Sequence, residues 1–228
     1  MLRASLTPLH PDGVKFVVVG AAVTLLAFVI AAPLGWLALV ITLWVAYFFR
    51  DPWRVTPIRD GLLVSPADGT IVGLGPAMPP PELEMGTARL VRIGIFLDLF
   101  SVHVARAPIA GAVTALCYTR GRFVNASLDK ASEHNERLAI RVRPPEGPEV
   151  GFALIAGLVA RRIVCGLRVG QEVGAGQRIG IIRFGSRVDV YCPPNYVPLV
   201  VLGQKTVGGE TVLADCRTDE TARRGVAQ

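Results

Sequence analysis

Lysine is almost missing from this chain: Lys15, Lys130 and Lys205 stand against 21 arginines. None of the three occupies a Met-Lys-Met-like tip, so a lysine-borne carrier group or a Schiff-base lysine has little support. Histidine is as scarce, occurring only at His10, His103 and His134. The four cysteines (Cys117, Cys165, Cys192, Cys216) are scattered and form no close pair. That spacing lacks a zinc-ligand pattern, and no metal is expected. In a cytoplasmic domain such thiols read as reduced and moderately buried. Aromatic residues make up 7% of the chain and do not interleave with basic runs, which argues against nucleic acid as a partner. The net charge of +6, carried by arginine, fits an anionic lipid surface better, because guanidinium groups suit bidentate phosphate contacts.

Charge itself is absent from Phe16 to Phe49. As a helix that stretch would reach about 50 Å, too long for one bilayer core of about 30 Å. Pro33 and Gly35 interrupt it near the middle. The sequence therefore predicts two short helices joined as a hairpin, roughly residues 15–32 and 35–49, within an anchoring segment 1–50. Each is near the lower length limit for spanning, which leaves both a spanning and a re-entrant hairpin open. Arg3 and Lys15 precede the run and Arg50, Arg54 and Arg59 follow it, so the positive-inside rule puts both ends in the cytoplasm, at the cell (inner) membrane.

Beyond a proline-rich connector, short β-type runs alternate with glycine turns from Leu62 to Ala214. Examples are Leu90 to Phe96, Ala112 to Tyr118, Leu138 to Val142, Phe152 to Ile155 and Val188 to Cys192. The expected fold is mainly β: a compact sandwich or barrel-sandwich-like domain over 51–217, preceded by the helical hairpin. The polar stretch 126–137 reads as a short helix or an ordered loop. The tail 218–228 is expected to be disordered.

Chemistry concentrates at Phe184-Gly185-Ser186-Arg187. A glycine carbonyl before a serine hydroxyl is the minimum needed for backbone self-cleavage, since glycine tolerates a strained turn and leaves its carbonyl open. Ser186 Oγ attacking the Gly185 carbonyl would shift the acyl group from nitrogen to oxygen. β-Elimination would then leave a dehydroalanine, and its hydrolysis an N-terminal pyruvoyl group. Most Gly-Ser pairs are plain turns, so the surroundings matter. They include Asp68 on an Asp-Gly turn, His103 in an alternating strand-like stretch, and the polar run Asp129 to Arg137.

Taken in order, Phe49-Arg50-Asp51-Pro52, Pro66-Ala67-Asp68-Gly69, His103-Val104-Ala105-Arg106-Ala107-Pro108, Asp129 to Arg137, Ile155 to Ile163 and Arg183-Phe184-Gly185-Ser186-Arg187 resemble the compact branch of the phosphatidylserine decarboxylase proenzymes. The likeness runs from about Phe48 to Ala214. It implies cleavage between 185 and 186 into a β chain (1–185) and an α chain (186–228) that remain together, with a higher homo-oligomer compatible. It further implies a covalent pyruvoyl cofactor made from Ser186. This group forms a Schiff base with phosphatidylserine, giving phosphatidylethanolamine and CO2. Ser186 and Gly185 carry over directly. His103 carries over as the base for self-cleavage or a later proton donor, and Asp68 as its orienter or as a base itself. Longer members have a second histidine where this chain has Arg106, so His103, Asp68 and strain at Gly185 all stay open as the drive for cleavage. Arg106 and Arg187 are the candidates for binding the headgroup. A histidine with the ordinary pKa of about 6.5 suits the task near neutrality.

The glycine-rich segment Gly166 to Gly180 also looks like the hairpin of biotinyl or lipoyl carrier domains. A membrane-tethered carrier or adaptor module without catalysis is therefore the rival, and it leaves the ordered polar blocks unexplained. A pyridoxal-phosphate decarboxylase would need a Schiff-base lysine and usually a larger α/β chain.

Overall fold

A computed structural model describes residues 7–121, 135–157, 162–183 and 186–226. The expectations for 126–134 and for Gly185 itself lie outside the described residues. The chain divides into two compact units, 1–53 and 54–228.

In the first unit, helices α1 (Pro11–Ile30) and α2 (Ala32–Phe48) flank a single extended residue, Ala31. The break falls before Pro33 rather than at Pro33–Gly35, as the sequence predicted. Pro33 sits in the first turn of α2, where its missing N–H leaves no hydrogen bond unmade. α1 begins earlier than expected for a similar reason: Pro11 opens it, and His10 Nδ1 caps it by accepting from Asp12 N at 3.3 Å. The helices meet through small and polar groups. Gly35 lies against Phe28, Gly20 against Thr42, and Thr24 Oγ1 and Thr42 Oγ1 share a hydrogen bond at 3.0 Å. Their outer surfaces stay apolar and bare, with Val19, Leu26 and Trp36 each 62% exposed. By length and composition α1 can cross a membrane. The two ends of the hairpin are tied side by side, His10 N donating to Phe49 O and Asp51 N to Pro8 O.

The second unit is mainly β. Its strands are β1 (Leu62–Val64), β2 (Gly69–Ala77), β3 (Leu90–Leu97), β4 (Val104–Arg106) and β5 (Gly111–Thr119). Next come β6 (Arg137–Arg143), β7 (Val150–Ala156), β8 (Ile163–Cys165), β9 (Glu172–Val173) and β10 (Arg178–Ile182). The last are β11 (Ser186–Cys192), β12 (Val197–Pro198), β13 (Lys205–Thr206) and β14 (Val212–Asp215). Eight of them make one antiparallel sheet in the order β13-β2-β3-β11-β7-β6-β5-β9, curled into a half-barrel. Two three-stranded sheets, β4-β10-β8 and β1-β14-β12, complete the unit. The glycine-rich segment is thus divided: β8 and β10 pair with each other, while β9 joins the edge of the large sheet.

Alternation along each strand sorts the residues by face. Ile93, Ile95, Phe152, Leu154, Val188 and Val190 face inward and join Ile163, Ile179 and Ile182 in the main core. The outer face holds a smaller cluster, Ala139, Ala153, Ile155 and Tyr191, under Leu83 of a 3-10 turn at Pro81–Leu83. Residues 218–226 have no regular structure, although Arg223 donates to Leu199 O at 3.1 Å and pairs with Glu220.

Candidate active site

Ser186 opens β11, hydrogen-bonded into the sheet between Leu97 of β3 and Ala156 of β7. Its side chain shares the inner face with Val188 and Val190 and has no solvent exposure. Among the described residues Ser186 Oγ nevertheless has no hydrogen-bond partner. Leaving a buried hydroxyl unpaired costs about 1–3 kcal/mol, a cost that persists in folds where the group has other work. A lone pair not engaged in a hydrogen bond is also what a nucleophile needs.

His103 reaches the same end of the sheet by a different route. After β3, Asp98 caps a tight turn, its Oδ1 accepting from Phe100 N and Ser101 Oγ, each at 2.9 Å. This turn delays β4, so His103 precedes the strand rather than lying within the alternating run predicted for it. The ring is fully buried, and its Nδ1 sits 3.0 Å from Ser101 O. A carbonyl only accepts, so this contact calls for a proton on Nδ1. His103 O accepts from Ile182 N at 3.1 Å. Only four residue steps run from Ile182 to Ser186, a span of at most about 14 Å. Histidine and serine are thus held at one end of the unit.

Asp68 is engaged by partners other than His103 and Ser186. Its Oδ2 accepts from Arg54 Nη2 at 2.8 Å and its Oδ1 from Gly208 N at 2.7 Å. It precedes β2, two strands from β11, and the register of Thr70 with Phe96 and of Phe96 with Arg187 puts it at the same end of the sheet as Ser186. The orientation of His103 comes from the Ser101 carbonyl. Arg106 is also buried, and its Nη1 donates to Gly176 O at 2.9 Å, tying β4 to the glycine-rich segment. Arg187 follows Ser186 and therefore faces the other side of the sheet. There it is wholly enclosed and ion-paired with Asp189 at 2.6 Å.

Sequence reasoning missed one further group. Glu136 O accepts from Ala156 N at 2.9 Å, and Asn135 Nδ2 donates to Ala156 O at 2.7 Å. Glu136, Ala156 and Ser186 therefore form one cross-strand row, and residues directly opposite each other share a face. Glu136 is buried and its side chain interacts with the Tyr118 hydroxyl, while among the described residues its Oε1 has no partner, as with Ser186 Oγ. Ala156 is the residue between Glu136 and Ser186 on that row. The signal for it was the polar run ending at Asn135-Glu136-Arg137, which a solvated helix would equally explain.

Fold and site together define a mainly β domain with a buried serine hydroxyl at a strand start, a buried histidine on a segment bonded to the preceding strand, and an apolar helix pair ahead of it in the sequence. The family model for phosphatidylserine decarboxylase matches residues 41–214. The chain is 51% identical over 228 residues to the phosphatidylserine decarboxylase proenzyme of Cereibacter sphaeroides, covering 100% of this chain and 98% of that protein. It is 53% identical over 218 residues to the proenzyme of the same name from Paramagnetospirillum magneticum, covering 96% and 91%. The chain belongs to the phosphatidylserine decarboxylase family.

Proposed function

We infer that this protein is a self-processing lyase of phospholipid biosynthesis that converts phosphatidylserine to phosphatidylethanolamine and CO2. The observation that carries this reading is the buried, unpartnered Ser186 hydroxyl, placed directly after Gly185 in a chain of this family. Ser186 Oγ attacks the Gly185 carbonyl, and His103 Nε2, its tautomer held by Ser101 O, takes the hydroxyl proton.

The fit to a pyruvoyl group follows from the same residue. Position 186 is enclosed and its oxygen is uncommitted, so a carbonyl formed there would be held in a dry, apolar setting. When present, that group supplies an electrophilic carbonyl for the substrate amine and takes up the electron pair as CO2 leaves. Leu97 and Ala156 exclude water on either side of the position. Across Ala156, the Glu136 carboxylate accepts hydrogen bonds from the headgroup ammonium and takes the proton that the amine must lose. His103 is the proton donor to the carbon that CO2 vacates.

The partner substrate is a membrane lipid, and the apolar hairpin holds the enzyme where that lipid resides. Arg50, Arg54 and Arg59 favour the cytoplasmic face of the inner membrane. After cleavage the α chain begins at β11, in the middle of the large sheet, which supports a stable two-chain enzyme.

The test is the intact mass of the wild-type protein beside Ser186→Ala, with CO2 release from phosphatidylserine vesicles measured on both. Two wild-type fragments meeting at 185/186, the smaller with a blocked N-terminus, are expected, with one silent full-length chain for the variant. A full-length wild-type chain that releases CO2 would overturn the role of Ser186. One that releases none would return the carrier reading to first place.

A further inference from the structure

The outer face of the eight-stranded sheet carries a cleft of about 530 Å3. Arg92 of β3, Tyr191 of β11 and Arg137 of β6 line it, together with Arg89 and the segment 76–81. Three lining residues are arginines and none is a carboxylate. Glu82 pairs with Arg137 and Asp189 with Arg187, whereas among the described residues Arg89 has no acidic partner. Positive charge is therefore in excess around the opening.

Tyr191 supplies the second observation. It is only 2% exposed, yet no hydrogen bond to its hydroxyl exists among the described residues. Burial and the charge of Asp189 raise its pKa, while Arg92, Arg187 and Arg137 oppose that shift, so it stays a neutral donor within reach of three guanidinium fields. A hydroxyl with no hydrogen bond among the described residues, lining a cleft rich in arginine, is a waiting hydrogen-bond donor.

The ligand class follows from number and shape. One guanidinium satisfies a carboxylate by a bidentate fork, but three arginines and a phenol drawn from separate segments match the several oxygens of a phosphate. The cleft falls within the range of about 300–1,000 Å3 that holds small organic molecules, well beyond a bare phosphate ion. The rest of its lining includes Pro76, Ala77, Met78, Pro79 and Pro80, which are apolar. We propose that this cleft binds an organic phosphate, its phosphate on Arg89, Arg92, Arg137 and Tyr191 and its carbon skeleton against residues 76–80. The site lies on the opposite face of the sheet from Ser186, with Tyr191 five residues or about 17 Å from it along β11 and Arg137 one row from the Ser186 row.

The test is calorimetric titration of the full chain in non-ionic micelles with inorganic phosphate, glycerol 3-phosphate and dihexanoyl phosphatidylglycerol. At least one organic phosphate is expected to bind more tightly than inorganic phosphate. Arg89→Gln and Tyr191→Phe should each weaken it about tenfold, the worth of one hydrogen bond to a charged group. His103→Ala should leave that affinity unchanged. Preference for the short-chain lipid assigns the site to a membrane headgroup, and preference for glycerol 3-phosphate to a soluble metabolite; either carries the proposal. No heat with any probe, equal binding of inorganic phosphate, or an affinity untouched by both variants would overturn it. Arg89 is exposed and Tyr191→Phe keeps the ring, so unchanged urea midpoints separate lost binding from lost folding.

Discussion

Arg187 Nε donates to Asp189 Oδ1 at 2.6 Å with neither side chain exposed, and the pair rests on the bare backbone of Gly94. A Cβ at position 94 would stand 2.5 Å from Arg187 Nη2 and 2.9 Å from Asp189 Oδ1. One strand further on, Gly73 leaves room for the same guanidinium. Asp189→Leu strands a buried cation and should cost about 3–5 kcal/mol, whereas Arg187→Met combined with Asp189→Leu should recover most of that loss. Gly94→Ala overpacks the same spot, at about 1–3 kcal/mol. Urea midpoints of the solubilised protein check all three. A Gly94→Ala variant as stable as wild type would mean that the pair can move aside.

His103 and Asp68 can be separated by the rate of self-cleavage. His103→Ala removes the group proposed to take the Ser186 proton and should slow fragment appearance by about 100-fold or more. Asp68→Asn keeps an oxygen for the Gly208 N–H and loses the ion pair with Arg54, so it should slow cleavage far less. Pulse-chase gels of newly made protein read both rates. Equal retardation would give Asp68 a direct role.

Glu136→Gln keeps the shape of the side chain and removes its charge. Cleavage should proceed normally, because the proposed acceptor of the Ser186 proton is His103. Decarboxylation of phosphatidylserine should then fall by at least about tenfold, within the range for a lost acid–base group. Normal turnover by the cleaved variant would remove Glu136 from the site.

Cleavage should not separate the two chains. β11 is bonded on both sides, to β3 and β7, while β13 and β14 of the same fragment pair with β2 and β1. The fragments should elute together from a sizing column and part only in denaturant. Elution of a free fragment 186–228 under native conditions would contradict this register.

Alkaline pH should weaken the fold. Burial pushes the Cys192 thiol up to about 12 and also raises the hydroxyls of Tyr191 and Tyr196. A group whose pKa is raised on folding favours the folded state fully below its unfolded value, here 9.0 for the thiol and 10.0 for the phenols. That contribution is lost as pH rises through the folded values, because only the unfolded chain releases its protons there. The urea midpoint should fall steadily from about pH 9 upward, and less steeply in Cys192→Ala. With three lysines in the chain, few amines titrate in the same window. A midpoint that stays flat to about pH 11 would show these groups to be wetter than their burial implies.

Much of this architecture was legible in the chain. The charge-free run from Phe16 to Phe49 demanded a helix pair, and the strands over 90–97, 111–119, 137–143, 150–156 and 186–192 fall within about two residues of their apolar alternation. Less legible was any feature that depends on which strand lies beside which. The alternating run through His103 looked like strand from Val102, but the Asp98 turn takes up those residues first. Arg187 read as a headgroup ligand because it follows Ser186, yet successive residues of a strand face opposite ways, and it is sealed against Asp189. Glu136 drew no notice because its neighbours in sequence are polar.

The sequence by itself determined the elements and the reactive junction: composition, period and the order of Gly185, Ser186, His103 and Asp68 are local properties that covalent connectivity carries. Only the tertiary structure decided who shares a face. It set Glu136 on the row of Ser186, though fifty residues of sequence separate them. It also sent Asp68 to Arg54 and gathered Arg89, Arg92, Arg137 and Tyr191 around one cleft. Strand order and register are settled by the burial of whole apolar faces at once, and the polar groups are carried to wherever that packing leaves them.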